Sequence, residues 1–405
     1  MTTQTEAEPA YRWVIVTVAA LIMGIGIGGI VNGLAAYVVP MAETFGWDRG
    51  PVSMINFSGL MGLALGGYFA GRLSERFGTR PVVVFGASVL ALGHVLASYT
   101  DTLWQLYVIF AVAGFFGAGA IVAPLMALVG SWFRTGAGLA LGLVSAGQAF
   151  GQGSVPFGSS FLIKAYGVQG ALAATGIIMA LIVVPLALLL RPPPLLSAAS
   201  QAAQAEEEAV SIPTNILVTR MCAAILLCCT CMAVPLMHLV PLVQDRGIPA
   251  EQASSVLFVM MTVAILGRVA FGKLADMIGA IPTYMTAVGW MTVMIYGFMV
   301  MNSLTGFYLY AVLYGFGYAG VMTGVLVVMR MHTPPSRRAS ALGMVLMFGY
   351  FGHAIGGYLG GLLYDLTGGY SAAYALAALA GAGNLLIVST LLIRSRAPRQ
   401  LQPAE

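Results

Sequence analysis

The stretch Gly71-Arg72-Leu73-Ser74-Glu75-Arg76-Phe77-Gly78-Thr79-Arg80 has a counterpart 201 residues later, Gly272-Lys273-Leu274-Ala275-Asp276-Met277-Ile278-Gly279. Gly71 and Gly78 bracket the matched part of the first copy as Gly272 and Gly279 bracket the second, and Glu75 and Asp276 hold the same place. Pro81 and Pro282 follow at the same interval. The offset also pairs Ser53 with Ser254, Gly119 with Gly320, Leu141-Gly142 with Leu342-Gly343, and Phe150-Gly151 with Phe351-Gly352. A constant interval through four apolar segments is hard to reach by chance. It makes the chain two copies of one unit, each with a charged tight turn between two apolar segments.

Composition says what those segments are. Of the 405 residues, 59% are hydrophobic and 8% charged, where a soluble domain carries about 45–50% and about 25%. The 51 glycines follow no collagen period and suit helices that touch backbone to backbone in a bilayer. A span needs ~20 apolar residues. The candidates are 13–37, 51–71, 82–99, 104–129, 137–163, 168–190, 214–240, 252–272, 282–302, 306–329, 339–363 and 371–393. Twelve spans put both termini on one side. With that side cytoplasmic, fourteen of the eighteen basic residues lie at cytoplasmic ends or loops, whereas Arg49, Lys164 and Arg246 lie outside and Arg268 lies within a span. Lys/Arg asymmetry of this kind sets orientation. The net charge of +4 is then a topology signal and needs no nucleic acid. The acidic start through Glu8 is no signal peptide.

Arg191 to Pro213, with three consecutive prolines and Glu206 to Glu208, has linker composition. It divides the chain into a six-helix half at 1–190, a cytoplasmic linker at 191–213 and a second six-helix half at 214–405. Cys222, Cys228, Cys229 and Cys231 share one apolar segment. That is neither a disulfide framework nor a zinc site, so they read as small packing residues. The expected fold is all-α: twelve transmembrane helices in two pseudo-symmetric halves.

The loop Gly71 to Arg80 resembles the major facilitator signature between spans two and three, with Glu75 where the family usually has Asp. Two parallel six-helix repeats are that family's arrangement. Phe45-Gly46-Trp47, Trp132-Phe133-Arg134, the segment Pro235 to Pro241 around His238, and Gly267-Arg268 resemble the monocarboxylate porter group and its oxalate/formate antiporter relatives. The resemblance implies that Arg72, Glu75, Arg76, Arg80 and Asp276 form a cytoplasmic gate. The alternative for these residues is a charged turn that only sets orientation.

Arg268 is the informative residue within the spans. An unpaired guanidinium facing lipid is costly, so it must face a cavity or a partner. It lies ~7 Å of helical rise before Lys273, and helical side chains lean toward the N-terminus, which directs it to the membrane middle. Its repeat mate is Gly67, so symmetry demands no cation here. Guanidinium and carboxylate pair in bidentate fashion, and related porters carry an arginine at this place. Animal members of the group carry an aspartate one turn earlier, where this chain has Ala264. The competing reading ties Arg268 to backbone carbonyls. His353, whose repeat mate is Gln152, falls ~22 Å of rise into its span, near mid-membrane. His353 and His238 are the proton-coupling candidates, against packing for the first and a helix-break hydrogen bond for the second. His94 reads as packing. Tyr318, Asn32 and Gln148 are the further substrate-contact candidates, although such residues also join helix to helix. Asp365 is expected to cap its own turn.

The expected function is transport, with no enzymatic chemistry, cofactor or metal. The partners are a small organic anion, a proton and the bilayer of a bacterial inner (plasma) membrane, for a chain working as a monomer. Proton-coupled symport of a lactate-, pyruvate- or acetate-like monocarboxylate leads. Carboxylate antiport and efflux of amphipathic compounds are the alternatives.

Overall fold

The computed structural model describes residues 10–133, 137–193 and 213–396. Arg134, Arg399 and Glu206 to Glu208 of the linker lie outside the described residues. So do the side chains of Glu75, Arg337, Arg338, Arg394 and Arg396.

The spans are α1 (Tyr11–Val31), α2 (Arg49–Phe77), α3 (Thr79–Ala97) and α4 (Leu103–Ser131). A run of 52 residues, Ala137–Leu188, then breaks at Gly167 (φ 70°, ψ −179°) into α5 (137–166) and α6 (168–188). The second half has α7 (Thr214–Gln244), α8 (Ala250–Ile278), α9 (Ala280–Val300), α10 (Leu304–His332), α11 (Pro335–Thr367) and α12 (Ser371–Arg396). The twelve expected spans are all present, and the described residues form no strand.

The first span departs from expectation. It does not run on to residue 37. It carries a π-helical turn at Met23–Ile27 and stops at Asn32 (φ −121°, ψ −9°), after which a 3-10 turn leads to a short helix, Val38–Phe45. The cause is local packing. Asn56 of α2 donates from its Nδ2 to the Ile30 and Val31 carbonyls at 2.9 and 3.1 Å, which gives the freed backbone oxygens a partner inside the protein, as a membrane requires.

The repeat is visible in backbone geometry. Among the described residues, six glycines have a positive φ: Gly46, Gly78, Gly167, Gly247, Gly279 and Gly368. They form three pairs at the 201-residue interval. Gly78 (φ 85°, ψ 155°) turns α2 into α3 as Gly279 (φ 91°, ψ 162°) turns α8 into α9. L side chains avoid that region, so a one-residue hairpin between two spans must use glycine.

Helices meet through small residues. Gly24 and Gly28 of α1 touch the Gly147 and Gly151 backbones of α5 so closely that a Cβ would overlap a carbonyl. Between the halves, α2 packs along α11 and α8 along α5. These pairs are themselves related by the repeat. The halves meet most tightly at the end of the bundle opposite the termini, here the far end. There Gly361 abuts Ser53 and Arg49, Gly357 faces Asn56, and Gly153 abuts Met261 and Phe258. Along α2, Val52 and Ser53 at the far end are fully buried, whereas Tyr68 toward the termini is 56% exposed.

Candidate functional site

Arg268 lies where the cross-half packing ends. α8 and α10 approach closely because Gly267 leaves room for the Phe316 carbonyl. From this position Arg268 crosses to the other half, and its Nη1 donates to the Ser145 carbonyl of α5 at 2.7 Å. Its Nε is buried without a protein partner. A guanidinium has five N–H donors, and one backbone carbonyl does not exhaust them. No carboxylate pairs with it among the described residues. Ala264, one turn earlier, is fully buried in the core. The site is a fixed cation with donors to spare.

Tyr318 of α10 is close enough to Arg268 to interact with it electrostatically and is nearly buried. Gln148, one turn along α5 from Ser145, faces Tyr350 of α11. Arg268, Tyr318, Gln148 and Tyr350 therefore draw on α8, α10, α5 and α11, three of them seam helices and α10 the neighbour of α8. Tyr350 was missed in the sequence reading. The signal for it was its place one turn before His353.

Asn32 sits at the break in α1. Its Nδ2 donates to the Gln152 carbonyl at 3.3 Å, while its Oδ1 is buried without a protein partner. It joins α1 to α5 on the first-half side. His353 is half-buried, with Nδ1 3.3 Å from the Gly349 carbonyl of its own helix. His238 lies apart from this group. It is fully buried, its Nε2 is 2.7 Å from the Gly357 carbonyl, and its ring is 5.2 Å from that of Tyr370 at the far end. His94 bonds the Leu90 carbonyl one turn back on α3 and faces Phe110.

At the termini end, the turn arginines Arg72 and Arg76 contact aromatic rings of their own helix. Arg72 donates to the Tyr68 hydroxyl at 2.9 Å and lies over its ring, and Arg76 lies over Phe77. Arg80 and Asp276 are exposed. Among the described residues, none of them bonds the opposite half.

The far end holds the cross-half lock that the sequence reading missed. Arg49, first residue of α2, donates from Nη1 and Nη2 to the two carboxylate oxygens of Asp245 at 2.8 and 2.5 Å, and from Nη1 to the Tyr370 hydroxyl at 3.0 Å. Its guanidinium lies 3.9 Å from the Tyr364 ring centroid. Burial pushes the Tyr370 phenol up despite the nearby Arg49 cation, so it keeps its proton and can accept from Arg49 while donating elsewhere. Lys164 and Glu251 make a second, more exposed pair at 2.6 Å. Asp365 does not cap its own turn. It accepts from the backbone N–H groups of Arg49 and Gly50 at 3.0 and 2.5 Å. The macrodipole explains the choice: a carboxylate is disfavoured at the end of α11 and favoured at the start of α2, where N–H groups are free. The signal available in the sequence was Arg49 itself, a basic residue on the side that basic residues avoid, with Asp245 at the same membrane level.

A family model described as Major Facilitator Superfamily matches residues 16–238 and 221–405. Monocarboxylate transporter 13 of Rattus norvegicus is 28% identical over 387 residues, covering 94% of this chain and 89% of the relative. The oxalate:formate antiporter of Oxalobacter formigenes is 29% identical over 185 residues, 44% of this chain and 42% of the relative. Among solved structures, the xylose transporter XylE from E. coli, in a partially occluded inward open conformation, superposes with a TM-score of 0.74 at 14% identity. It covers 98% of this chain and 100% of that one. The nucleoside transporter NupG superposes with a TM-score of 0.70 at 14% identity, covering 96% and 100%.

Proposed function

We propose that this chain, which belongs to the Major Facilitator Superfamily and is a multi-pass membrane transporter of that family, carries a small monocarboxylate together with a proton. The observation that carries the reading is Arg268, a cation deep in a span that spends one donor on Ser145 and leaves its Nε unpartnered. In a site of low dielectric, the partner that satisfies such a group is a carboxylate bonded by two parallel N–H donors. Tyr318 and Gln148 supply hydroxyl and carboxamide groups from opposite halves to orient the anion, and Asn32, at the break after α1, has an unused Oδ1 that can accept from a substrate hydroxyl. A single fixed charge suits a monoanion. The monocarboxylate transporter relatives match in length and support the same class.

With the termini cytoplasmic, the Arg49–Asp245 lock is the outer gate and the structure is closed to the outside. Transport follows by rocking the halves about the Arg268 level. The outer lock breaks, Arg268 leaves Ser145 for the incoming anion, and the turns carrying Arg72, Glu75, Arg76, Arg80 and Asp276 close the cytoplasmic end. No Asp or Glu lies deep in any span, so the proton travels on the substrate or on His353 or His238.

Purified protein in liposomes, given lactate, pyruvate or acetate, should take up at least one of them into empty vesicles, and faster with an inward proton gradient. Uptake that requires internal carboxylate would support exchange, the reading favoured by the oxalate:formate antiporter relative. No transport of any of the three, in either mode, rejects the proposal.

A further inference from the structure

The second half contains a column of buried phenols, of which substrate binding uses only Tyr318. Tyr310, Tyr314 and Tyr318 recur at four-residue intervals on α10 and so share one face. Tyr318 stands beside Arg268. The Tyr314 ring is stacked 6.1 Å from it, one turn nearer the far end. Tyr314 and Tyr374 of α12 both pack on Phe298, at 5.1 and 6.4 Å, and interact electrostatically with each other. Tyr374 in turn neighbours Tyr370, whose hydroxyl accepts from Arg49. The phenols thus reach from the Arg268 site to the Arg49–Asp245 lock.

Two of these hydroxyls are out of place as packing. Tyr314 and Tyr374 are fully buried, and neither hydroxyl has a hydrogen-bond partner among the described residues. Tyr310 in the same stack is satisfied, donating to the Met294 carbonyl at 2.6 Å. Phenylalanine would fill the same volume without an unpaired polar group, whose burial is costly. The repeat does not call for phenols either, since the mates of Tyr314, Tyr318 and Tyr374 are Ala113, Gly117 and Ala173. Polar groups held inside a bundle in this way mark ion and proton routes. The other ionisable groups facing the column are Cys228 and Cys231 of α7 beside Tyr314, and Cys229 beside Tyr318. Beside Tyr370 are Arg49, Asp245, Tyr364 and His238.

We infer that Tyr370, Tyr374, Tyr314 and Tyr318, bridged by water molecules admitted when the lock opens, relay a proton from the far end to the carboxylate held by Arg268. The inference rests on the carboxylate reading above. Each oxygen along the line accepts one proton on a lone pair and releases its own hydrogen to the next, so one O–H bond forms for each that breaks. The last hydrogen passes from Tyr318 to the substrate carboxylate, which becomes the neutral acid, and Tyr318 is reprotonated from Tyr314. The hydroxyls then rotate to reset. In the closed state described here the Arg49 guanidinium sits on Tyr370, a positive charge at the mouth of the relay that repels an entering proton. The relay therefore loads only when the lock is open and does not leak while the other end is open.

The test uses the full chain in liposomes with radiolabelled lactate. Tyr314→Phe and Tyr374→Phe should keep exchange of internal for external lactate within about twofold of wild type. Accumulation driven by an imposed proton gradient should fall at least tenfold. Tyr310→Phe, in the same stack with its hydroxyl already satisfied, should keep both. Exchange in the variants reports folding. Unchanged accumulation in both variants overturns the relay, and so does a parallel loss of exchange and accumulation, which would make the phenols structural. If wild type itself neither exchanges nor accumulates lactate, the carboxylate reading fails, and the relay falls with it.

Discussion

Arg49 grips Asp245 through both terminal guanidinium nitrogens, at 2.8 and 2.5 Å, and so ties the first residue of α2 to the residue that follows α7. The side chains are 12% and 29% exposed, dry enough for the pair to count. A hydrogen bond to a charged group contributes about 1.5–3 kcal/mol, which is roughly a tenfold to hundredfold change in the balance between closed and open far ends.

Arg49→Gln should therefore open the far end. Spin labels at Asp101→Cys and Asn302→Cys, exposed on opposite halves at that end, would report it, since the four native cysteines are buried. Electron–electron resonance should show a longer distance population growing in the Gln variant. An unchanged distribution would remove the lock from the mechanism. Lys164, 75% exposed, should matter far less, and Lys164→Gln should leave the distances in place.

Arg268→Ala should abolish carboxylate uptake without loss of folded protein. Its repeat mate is Gly67, so the scaffold stands without a cation there. Removing a buried ionic partner costs the bound anion about 2–5 kcal/mol, a loss of at least thirtyfold in affinity. Lactate binding by calorimetry and uptake in liposomes should fall together, and Arg268→Lys, which loses the bidentate fork, should recover only a part. Wild-type uptake by the Ala variant would sink the site assignment.

His353→Gln separates two routes for the proton. With the phenol column as the route, this substitution should leave both exchange and uphill accumulation within a few-fold of wild type. Glutamine offers hydrogen bonds but does not titrate. Loss of accumulation with exchange retained would transfer the coupling role to His353 and away from the tyrosines.

Gly151→Val should fail to give folded protein, whereas Gly67→Val should express normally. A Cβ on Gly151 would overlap the Gly24 backbone, while one on Gly67 meets nothing within 4 Å. Backbone cannot move aside as a side chain can, so overpacking here costs more than the usual 1–3 kcal/mol or so. Size-exclusion profiles in mild detergent would decide between them, and equal profiles would mean that the α1–α5 contact is dispensable.

The architecture could be read before the structure because it is written in local signals: apolar runs, basic residues on one side, and a turn that repeats at a fixed interval. Arg268 could be read because a cation within a span has few reasons to be there. The far-end lock left only the misplaced Arg49 as a hint. Arg49 and Asp245 lie 196 residues apart and have no repeat counterparts, and Asp245 by itself looks like an ordinary loop charge. Asp365 was misread because its nearest turn in sequence is its own, whereas the free N–H groups that attract it belong to another half. Tyr314 and Tyr374 are ordinary core residues by composition. Only burial without a hydrogen-bond partner distinguishes them.

The six left-handed glycines carry one more consequence. Three turns in each half are spaced so alike that no net insertion or deletion separates the copies across them. An ancestral unit of six helices, doubled end to end, has thus diverged by exchange of side chains on a backbone that kept its metre. Arginine and tyrosine occupy one copy where glycine occupies the other. Chemistry entered such a lineage by breaking the likeness of its halves, and a search for active residues in any doubled chain can begin at its mismatched pairs.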